Sequence, residues 1–249
     1  MHKSFKEIFL NHAGHVSDKW INYLDIYDLY LKDYIGKEPN FLEIGIQNGG
    51  CIEIMSEYLV NGNIFGIDIN PDILSLSLET HCKLMCFNAS DPTAIEHHLS
   101  KYKFDIIIDD GSHKNHDIIA SFKSLFHKLS PGGTYIIEDI QTSYWSNFAG
   151  GGLKNENSAI SFFKSMIDVV NFFHVIRDAG VDQNFMEQNK DYITWIESLH
   201  FYDNVIIVKK LKDQKLNAYY RSITGDREKA INANALNTFL GYKVKYKWE

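Results

Sequence analysis

Residues 104–145, FDIIIDDGSHKNHDIIASFKSLFHKLSPGGTYIIEDIQTSYW, constrain what this chain can fold into more than any other stretch. A short apolar run at 104–108 stops abruptly at Asp109 and Asp110. A run of that length ending in carboxylates reads as a buried strand that delivers its charges at its end. Over 116–129, Ile118, Ile119, Phe122, Leu125, Phe126 and Leu129 recur at helical spacing, and Ser-Pro-Gly-Gly closes the helix. A second apolar run at 134–137 ends in Glu138 and Asp139. Strand, helix, strand at this spacing is a βαβ unit, whose strands are parallel neighbours. Both acidic pairs therefore emerge at the carboxyl-terminal edge of the sheet, where open α/β folds bind ligands. His113 stands three residues after Asp110, so the same edge carries a titratable base.

The flanking sequence extends this pattern. Residues 41–50, FLEIGIQNGG, read as a first strand and its turn, with Glu43, Gly45, Gly49 and Gly50 in an E-x-G-x-x-x-G-G arrangement. Glycines allow a tight strand-to-helix turn and let a ligand lie against the backbone. The spacing departs from the G-x-G-x-x-G dinucleotide fingerprint, and a carboxylate at Glu43 suits a positively charged ligand better than a phosphate. Residues 63–70, NIFGIDIN, form a second strand ending in Asp68, placed to accept both hydroxyls of a ribose. Asn70 caps the helical turn begun by Pro71. A weak third strand at 84–87 is followed by Ser90 and Asp91. Asp91 either caps the next helix or meets an adenine amino group, and both readings stay open.

Amphipathic helices are expected at 3–10, 18–35 and 161–175, with Ser17 or Asp18 capping the second. Asp18, Lys19 and Trp20 precede a core helix, a position from which loops often serve sites. Strands at 195–200 and 205–209, joined by Tyr202-Asp203-Asn204, form a hairpin that closes a seven-stranded sheet. Gly150, Gly151 and Gly152 form a loop over the site. The chain reads as one domain over 1–249: an N-terminal helical segment at 1–38, a catalytic core at 39–211, and an extension at 212–249 of no assigned role.

Composition narrows the partners. A net charge of −7 argues against nucleic acid or an anionic membrane. Three cysteines without a CxxC pair suit buried structural thiols in a reducing cytoplasm. The opening residues lack a long apolar segment, and no stretch approaches the ~20 apolar residues of a membrane helix.

Asp110, Glu138 and Asp139 at one edge repel one another unless a positive group sits between them. A hard divalent cation such as Mg²⁺ takes oxygen ligands and keeps waters or substrate oxygens; the alternative is a solvated rim or salt bridges to Lys114 or Arg177. Histidine accepts a proton at neutral pH, which makes His113 the best general base in the chain. A cation that coordinates an alcohol acidifies and orients it for such a base.

These residues carry a resemblance. The succession FLEIGIQNGG, FGIDIN, NASDP, FDIIIDD is similar to class I S-adenosylmethionine-dependent methyltransferases. More narrowly, SDKW, IIDDGSH, LSPGGTYIIEDIQTSYW and SLHFYDN resemble the metal-dependent macrolide-sugar O-methyltransferases acting on mycinamicin and macrocin precursors, over residues 17–210. The resemblance implies a Rossmann-like α/β fold: a seven-stranded, mostly parallel sheet with an antiparallel last strand and helices on both faces. It also implies Mg²⁺ on Asp110, Glu138 and Asp139, with His113 removing the proton of a sugar hydroxyl. S-adenosylmethionine would lie over Gly45 and Gly49, with Glu43 nearby, Asp68 on its ribose, Ser90 and Asp91 near its adenine, and Asp109 against it.

Two features depart from that family. Its macrolide members carry a large N-terminal auxiliary domain, whereas the first strand here begins at Phe41, so their substrate pocket and oligomer contacts are not carried over. Asn88 stands where a carboxylate is common. The abundance of Ile, Lys, Asn and Tyr matches AT-rich bacterial genomes and turns the expected acceptor toward a sugar, nucleotide sugar or glycan unit of a surface polysaccharide. A homo-oligomer is compatible with the sequence. Rival readings are methyl transfer to a natural product, phenol or amine, a nicotinamide-dependent oxidoreductase disfavoured by the glycine spacing, and a non-catalytic cofactor-binding assembly protein.

Overall fold

The structure, a computed structural model, describes residues 2–179, 182–219, 221–223 and 244–246. Seven strands make one sheet: β1 (Asn40–Ile44), β2 (Asn63–Asp68), β3 (Cys82–Cys86), β4 (Phe104–Asp109), β5 (Leu129–Ile137), β6 (Ile196–Phe201) and β7 (Ile206–Lys210). Their spatial order is β3-β2-β1-β4-β5-β7-β6. The first five pair in parallel, and β7 runs antiparallel to both β5 and β6. The expected Rossmann-like sheet with a reversed last strand is therefore the one observed, with that strand inserted between β5 and β6. A short parallel pair, β8 (Arg221–Ile223) with β9 (Val244–Tyr246), lies in the C-terminal extension. The remainder of that extension, 220, 224–243 and 247–249, falls outside the described residues.

Strand alternation divides the core between the two faces of the sheet. Leu42, Ile107, Tyr135 and Ile137 pack with Phe122 and Phe163, which come from α5 (Asn115–Leu125) and α6 (Ala159–Val170). Their chain neighbours Phe41, Ile106, Ile108 and Ile136 pack on the other side with Tyr23, Tyr27 and Met55. Those last residues belong to α2 (Ile21–Leu31) and α3 (Gly50–Tyr58). Because both faces are covered, the central strands read as nearly unbroken apolar runs, as parallel strands do.

Several local expectations need correction. Neither Ser17 nor Asp18 caps α2; the cap position is Trp20, whose side chain makes no capping bond, because the preceding segment is drawn toward the sheet edge through Lys19. The first helix, α1 (Phe5–Asn11), is instead closed by a reciprocal Ser4–Glu7 capping box. Ser-Pro-Gly-Gly does not end the central helix. α5 stops at Leu125, a 3₁₀ turn covers Phe126–Lys128, and Ser130 to Gly133 lie within β5, where a register shift opposite Phe104–Ile106 absorbs the extra residues. The helix expected at 161–175 breaks at Asn171 into α6 and α7 (Phe172–Ala179). A further helix, α8 (Gln183–Trp195), capped by Asp182, follows in a stretch too polar for periodicity to reveal. β3 starts at Cys82 and places Cys82 and Cys86, both half-buried, on a strand.

Candidate active site

The carboxyl ends of β1, β2 and β4 surround a cavity of about 390 Å³ lined by Gly45, Asp68, Asn88, Ser90, Asp109 and Asp110, among others. Gly45 has φ +84°, and a Cβ there would run into the Asp110 backbone carbonyl. Glycine is therefore required for the β1 and β4 ends to close together, and the Asp110 N–H donates to Ile44 O across that junction (3.0 Å). Asp68 accepts the Gln47 and Asn70 N–H groups (3.0 and 2.9 Å), which fixes its carboxylate at the cavity edge. Ser90 N–H and Oγ–H both donate to Asn88 Oδ1 (2.9 and 2.8 Å). Asp91 accepts the Thr93 N–H (2.8 Å) and caps α4 (Pro92–Leu99). Of its two readings the cap is the one observed, and of the expected cofactor residues Glu43, Gly49 and Asp91 do not line the cavity. Gly49, at φ +85°, is the N-cap of α3.

Asp109 is buried at the floor of this cavity. Burial, reinforced by the neighbouring Asp110 charge, pushes its carboxyl up to about 7, and long hydrogen bonds from Gly111 N–H and Tyr135 Oη (both 3.4 Å) offset only part of that. Glu43 is buried behind Gly45; one oxygen lies 3.5 Å from Lys19 Nζ, and Oε2 has no hydrogen-bond partner. Burial raises its pKa, and Lys19 pulls it back down in part.

A second cavity, of about 410 Å³, opens on the other side of Asp110. Lys19, Trp20, His113, Asp139, Trp145 and Phe148 contribute to its walls. Asp110, His113 and Asp139 come together here, each offering a ligand atom within 4.8 Å of the others, and they form the sole group of this kind among the described residues. His113 Nε2 stands 3.6 Å from Asp110 Oδ1 and 3.6 Å from Asp139 Oδ2. Both His113 and Asp139 have positive φ, +56° and +52°, a strained conformation for non-glycine residues that tends to persist at functional sites.

Glu138 also lines this cavity but is not one of the three residues whose ligand atoms converge. Its carboxylate accepts hydrogen bonds from Lys19 Nζ (3.1 and 3.0 Å) and from Tyr27 Oη. Lys19, its side chain 2% exposed, also donates to Asp110 Oδ2 at 2.6 Å. Burial opposes the Lys19 charge, yet Glu138 and Asp110 outweigh it and hold the pKa well above its ordinary value. Burial raises the pKa of Glu138, and Lys19 opposes that rise. The counter-charge among the carboxylates is thus a lysine from the N-terminal segment. Sequence reading brought Lys19 and Trp20 into view only as loop residues, and missed Tyr23 and Tyr27; a polar hydroxyl on each successive turn of an otherwise apolar helix face was the available signal.

The two carboxylate oxygens, one each from Asp110 and Asp139, face one point and fit a hard cation, with His113 Nε2 beside them and a cavity with room for waters or substrate oxygens. A larger hollow of about 780 Å³, near the amino end of β5 and lined by Tyr34, Lys209 and Lys212, holds no comparable cluster among the described residues. Of the expected metal and base residues, the structure gathers Asp110, His113 and Asp139, and it turns Glu138 to Lys19. Trp145 and Phe148 wall the second cavity, and the glycine run 150–152 does not.

A model of the FtsJ-like methyltransferase family matches residues 19–168. The mycinamicin VI 2''-O-methyltransferase of Micromonospora griseorubida is 32% identical over 194 residues, covering 74% of this chain and 47% of that protein. The demethylmacrocin O-methyltransferase of Streptomyces fradiae is 30% identical over 194 residues, with the same coverage of 74% and 47%. The chain thus spans about half the length of the curated relatives it matches. Among solved structures, the MycE methyltransferase of the mycinamycin biosynthetic pathway, in complex with Mg and SAH, superposes with a TM-score of 0.73 at 26% identity, over 85% of this chain and 55% of that one. The matched region runs from Lys19 through both acidic strand ends and into α6, and the chain belongs to the FtsJ-like methyltransferase family.

Proposed function

We propose that this protein is a Mg²⁺-dependent, S-adenosylmethionine-dependent O-methyltransferase acting on a sugar hydroxyl. One observation carries the reading. Asp110 lines both cavities, so a donor held over Gly45 and Asp68 would meet an acceptor held beside His113 and Asp139 at a shared wall. The name of a further relative, an 8-demethyl-8-alpha-L-rhamnosyl tetracenomycin-C 2'-O-methyltransferase of Streptomyces olivaceus, supports a sugar acceptor, and the Mg and SAH in the MycE complex support the cofactors.

Asp110 and Asp139 would hold the Mg²⁺, with Glu138 as a third carboxylate beside them. Bound there, the ion would lower the pKa of an acceptor hydroxyl and orient it. His113 Nε2, facing the same point, takes the hydroxyl proton as the oxygen bonds to the methyl carbon and the carbon–sulfur pair leaves with sulfur. Asp68 and Ser90 orient the nucleoside. Glu43 lies outside the donor cavity, in a narrow slot shared with Lys19, Gly45 and Cys51, and would add negative charge on the far side of Gly45 from the donor. Trp20, Trp145 and Phe148 offer apolar faces to a sugar ring. Composition favours a surface-polysaccharide unit as acceptor, whereas the relatives favour a glycosylated natural product.

The test is a calorimetric titration of Mg²⁺ into chelator-stripped protein saturated with S-adenosylhomocysteine. We expect a one-site isotherm that Asp110→Asn and Asp139→Asn abolish while leaving S-adenosylhomocysteine affinity intact; a titration without heat sinks the metal reading. A parallel screen of nucleotide sugars against glycosylated polyketides identifies the acceptor carrier.

A further inference from the structure

The segment from Lys19 to Tyr27 supplies a hydrogen-bond donor to every carboxylate of the acidic centre. Lys19 Nζ takes Asp110 Oδ2 at 2.6 Å and both oxygens of Glu138. Trp20 Nε1–H donates to Asp139 Oδ1 at 2.8 Å. Tyr23 Oη lies 2.9 Å from the same Asp139 oxygen and 3.0 Å from Asn204 O, and accepts the Asp139 N–H at 3.0 Å. Tyr27 Oη donates to Glu138 Oε1.

The donors are not spread evenly over the oxygens. On Asp110 and Asp139 they occupy only Oδ2 and Oδ1 respectively. The oxygens left over, Asp110 Oδ1 and Asp139 Oδ2, are the two that face His113 Nε2, each at 3.6 Å. A carboxylate free to spin about its last bond would present either oxygen. With one oxygen tied to a buried ammonium or a fixed indole, the other is presented in a single direction. This is how outer partners orient the ligands of a metal.

We propose that Lys19, Trp20 and Tyr23 are positioning residues for the cation site: the N-terminal arm aims Asp110 Oδ1 and Asp139 Oδ2, and these are the ligating oxygens. The arm thereby makes cation affinity depend on a segment far away in sequence. Trp20 is the most informative member, because it is half-exposed and contributes little to the core. This inference rests on the metal reading above.

The experiment compares Trp20→Phe with wild type, both stripped of metal and saturated with S-adenosylhomocysteine, by Mg²⁺ titration calorimetry. Phenylalanine keeps a ring on the cavity wall and removes only the N–H. Loss of an outer partner typically weakens metal binding by roughly 10–100-fold. We expect a Mg²⁺ Kd raised at least ten-fold with S-adenosylhomocysteine affinity and melting temperature unchanged, and a smaller rise for Trp20→His, whose ring N–H can restore the bond. A Trp20→Phe protein that binds Mg²⁺ with a Kd raised by less than ten-fold overturns the positioning role while leaving the metal reading standing. An equal loss of S-adenosylhomocysteine affinity means that the arm only supports the fold, and also overturns it. Absence of Mg²⁺ binding in wild type overturns the metal reading itself.

Discussion

His113 is held in the left-handed region, φ +56°, with its imidazole between two carboxylates 3.6 Å away. A non-glycine residue there costs on the order of 1–3 kcal/mol, which the surrounding bonds must cover. Thr142 contributes by donating its hydroxyl to the His113 carbonyl (2.8 Å). Asparagine tolerates this conformation far better than a β-branched residue. His113→Asn is therefore expected to fold like wild type while methyl transfer slows by roughly 10²–10⁴-fold, the usual worth of a general base. His113→Val should lose the same activity and lower the melting temperature as well. Equal melting temperatures for the two variants, measured by calorimetry, would show that the backbone there carries no strain. Gly45 presents the steric case: its Cβ would collide with Asp110 backbone, so Gly45→Ala must separate the β1 and β4 ends and weaken cofactor binding.

At the scale of elements, the wall of the second cavity depends on one side chain of α5. Asn115 is buried; its Oδ1 accepts Ser143 Oγ–H (2.8 Å) and the Ala159 N–H (2.7 Å), and its Nδ2 donates to Ala149 O (3.1 Å). It thus joins α5 to the segment bearing Trp145 and Phe148 and to the start of α6. Asn115→Ala leaves these groups unpaired in a dry setting, at roughly 1–3 kcal/mol for each one not rescued by water. We expect lower stability in urea titrations and a raised KM for the acceptor, with S-adenosylhomocysteine affinity within two-fold of wild type. A loss confined to cofactor affinity would contradict this division between the two cavities.

For the whole molecule, the buried carboxylic acid at Asp109 links stability to pH. Its folded pKa is raised from 3.8 to about 7 by burial. Below the unfolded value both states are protonated and the full stability is present. As pH rises through the window from about 4 to 7, the unfolded chain sheds the proton first, so stability falls, by up to roughly 4 kcal/mol from this group. Urea unfolding of the cofactor-free protein at pH 5 and pH 8 should show wild type losing stability, and Asp109→Asn losing measurably less. Parallel pH dependence in the two proteins would remove Asp109 as the cause. Among the described residues no helix is long and apolar enough to cross a membrane.

The sequence by itself determined the sheet and its functional edge. Apolar runs ending in carboxylates at Asp68, Asp109-Asp110 and Glu138-Asp139 specify parallel strands whose ends share one rim, since side-chain period and crossover handedness leave few alternatives. Gly45 was legible as well, because a tight turn under a close backbone approach leaves a local signature. Element ends were less so: Ser-Pro-Gly-Gly reads as a terminator, yet pairing opposite Phe104 carried those residues into β5. Only the tertiary structure decided how the rim is neutralised and aimed. Lys19 meets Asp110 and Glu138 across 91 and 119 residues of chain, and Trp20 and Tyr23 reach Asp139 across 119 and 116. No local pattern encodes such pairings, because whether a lysine or tyrosine faces solvent or a buried carboxylate depends on how α2 packs against the sheet.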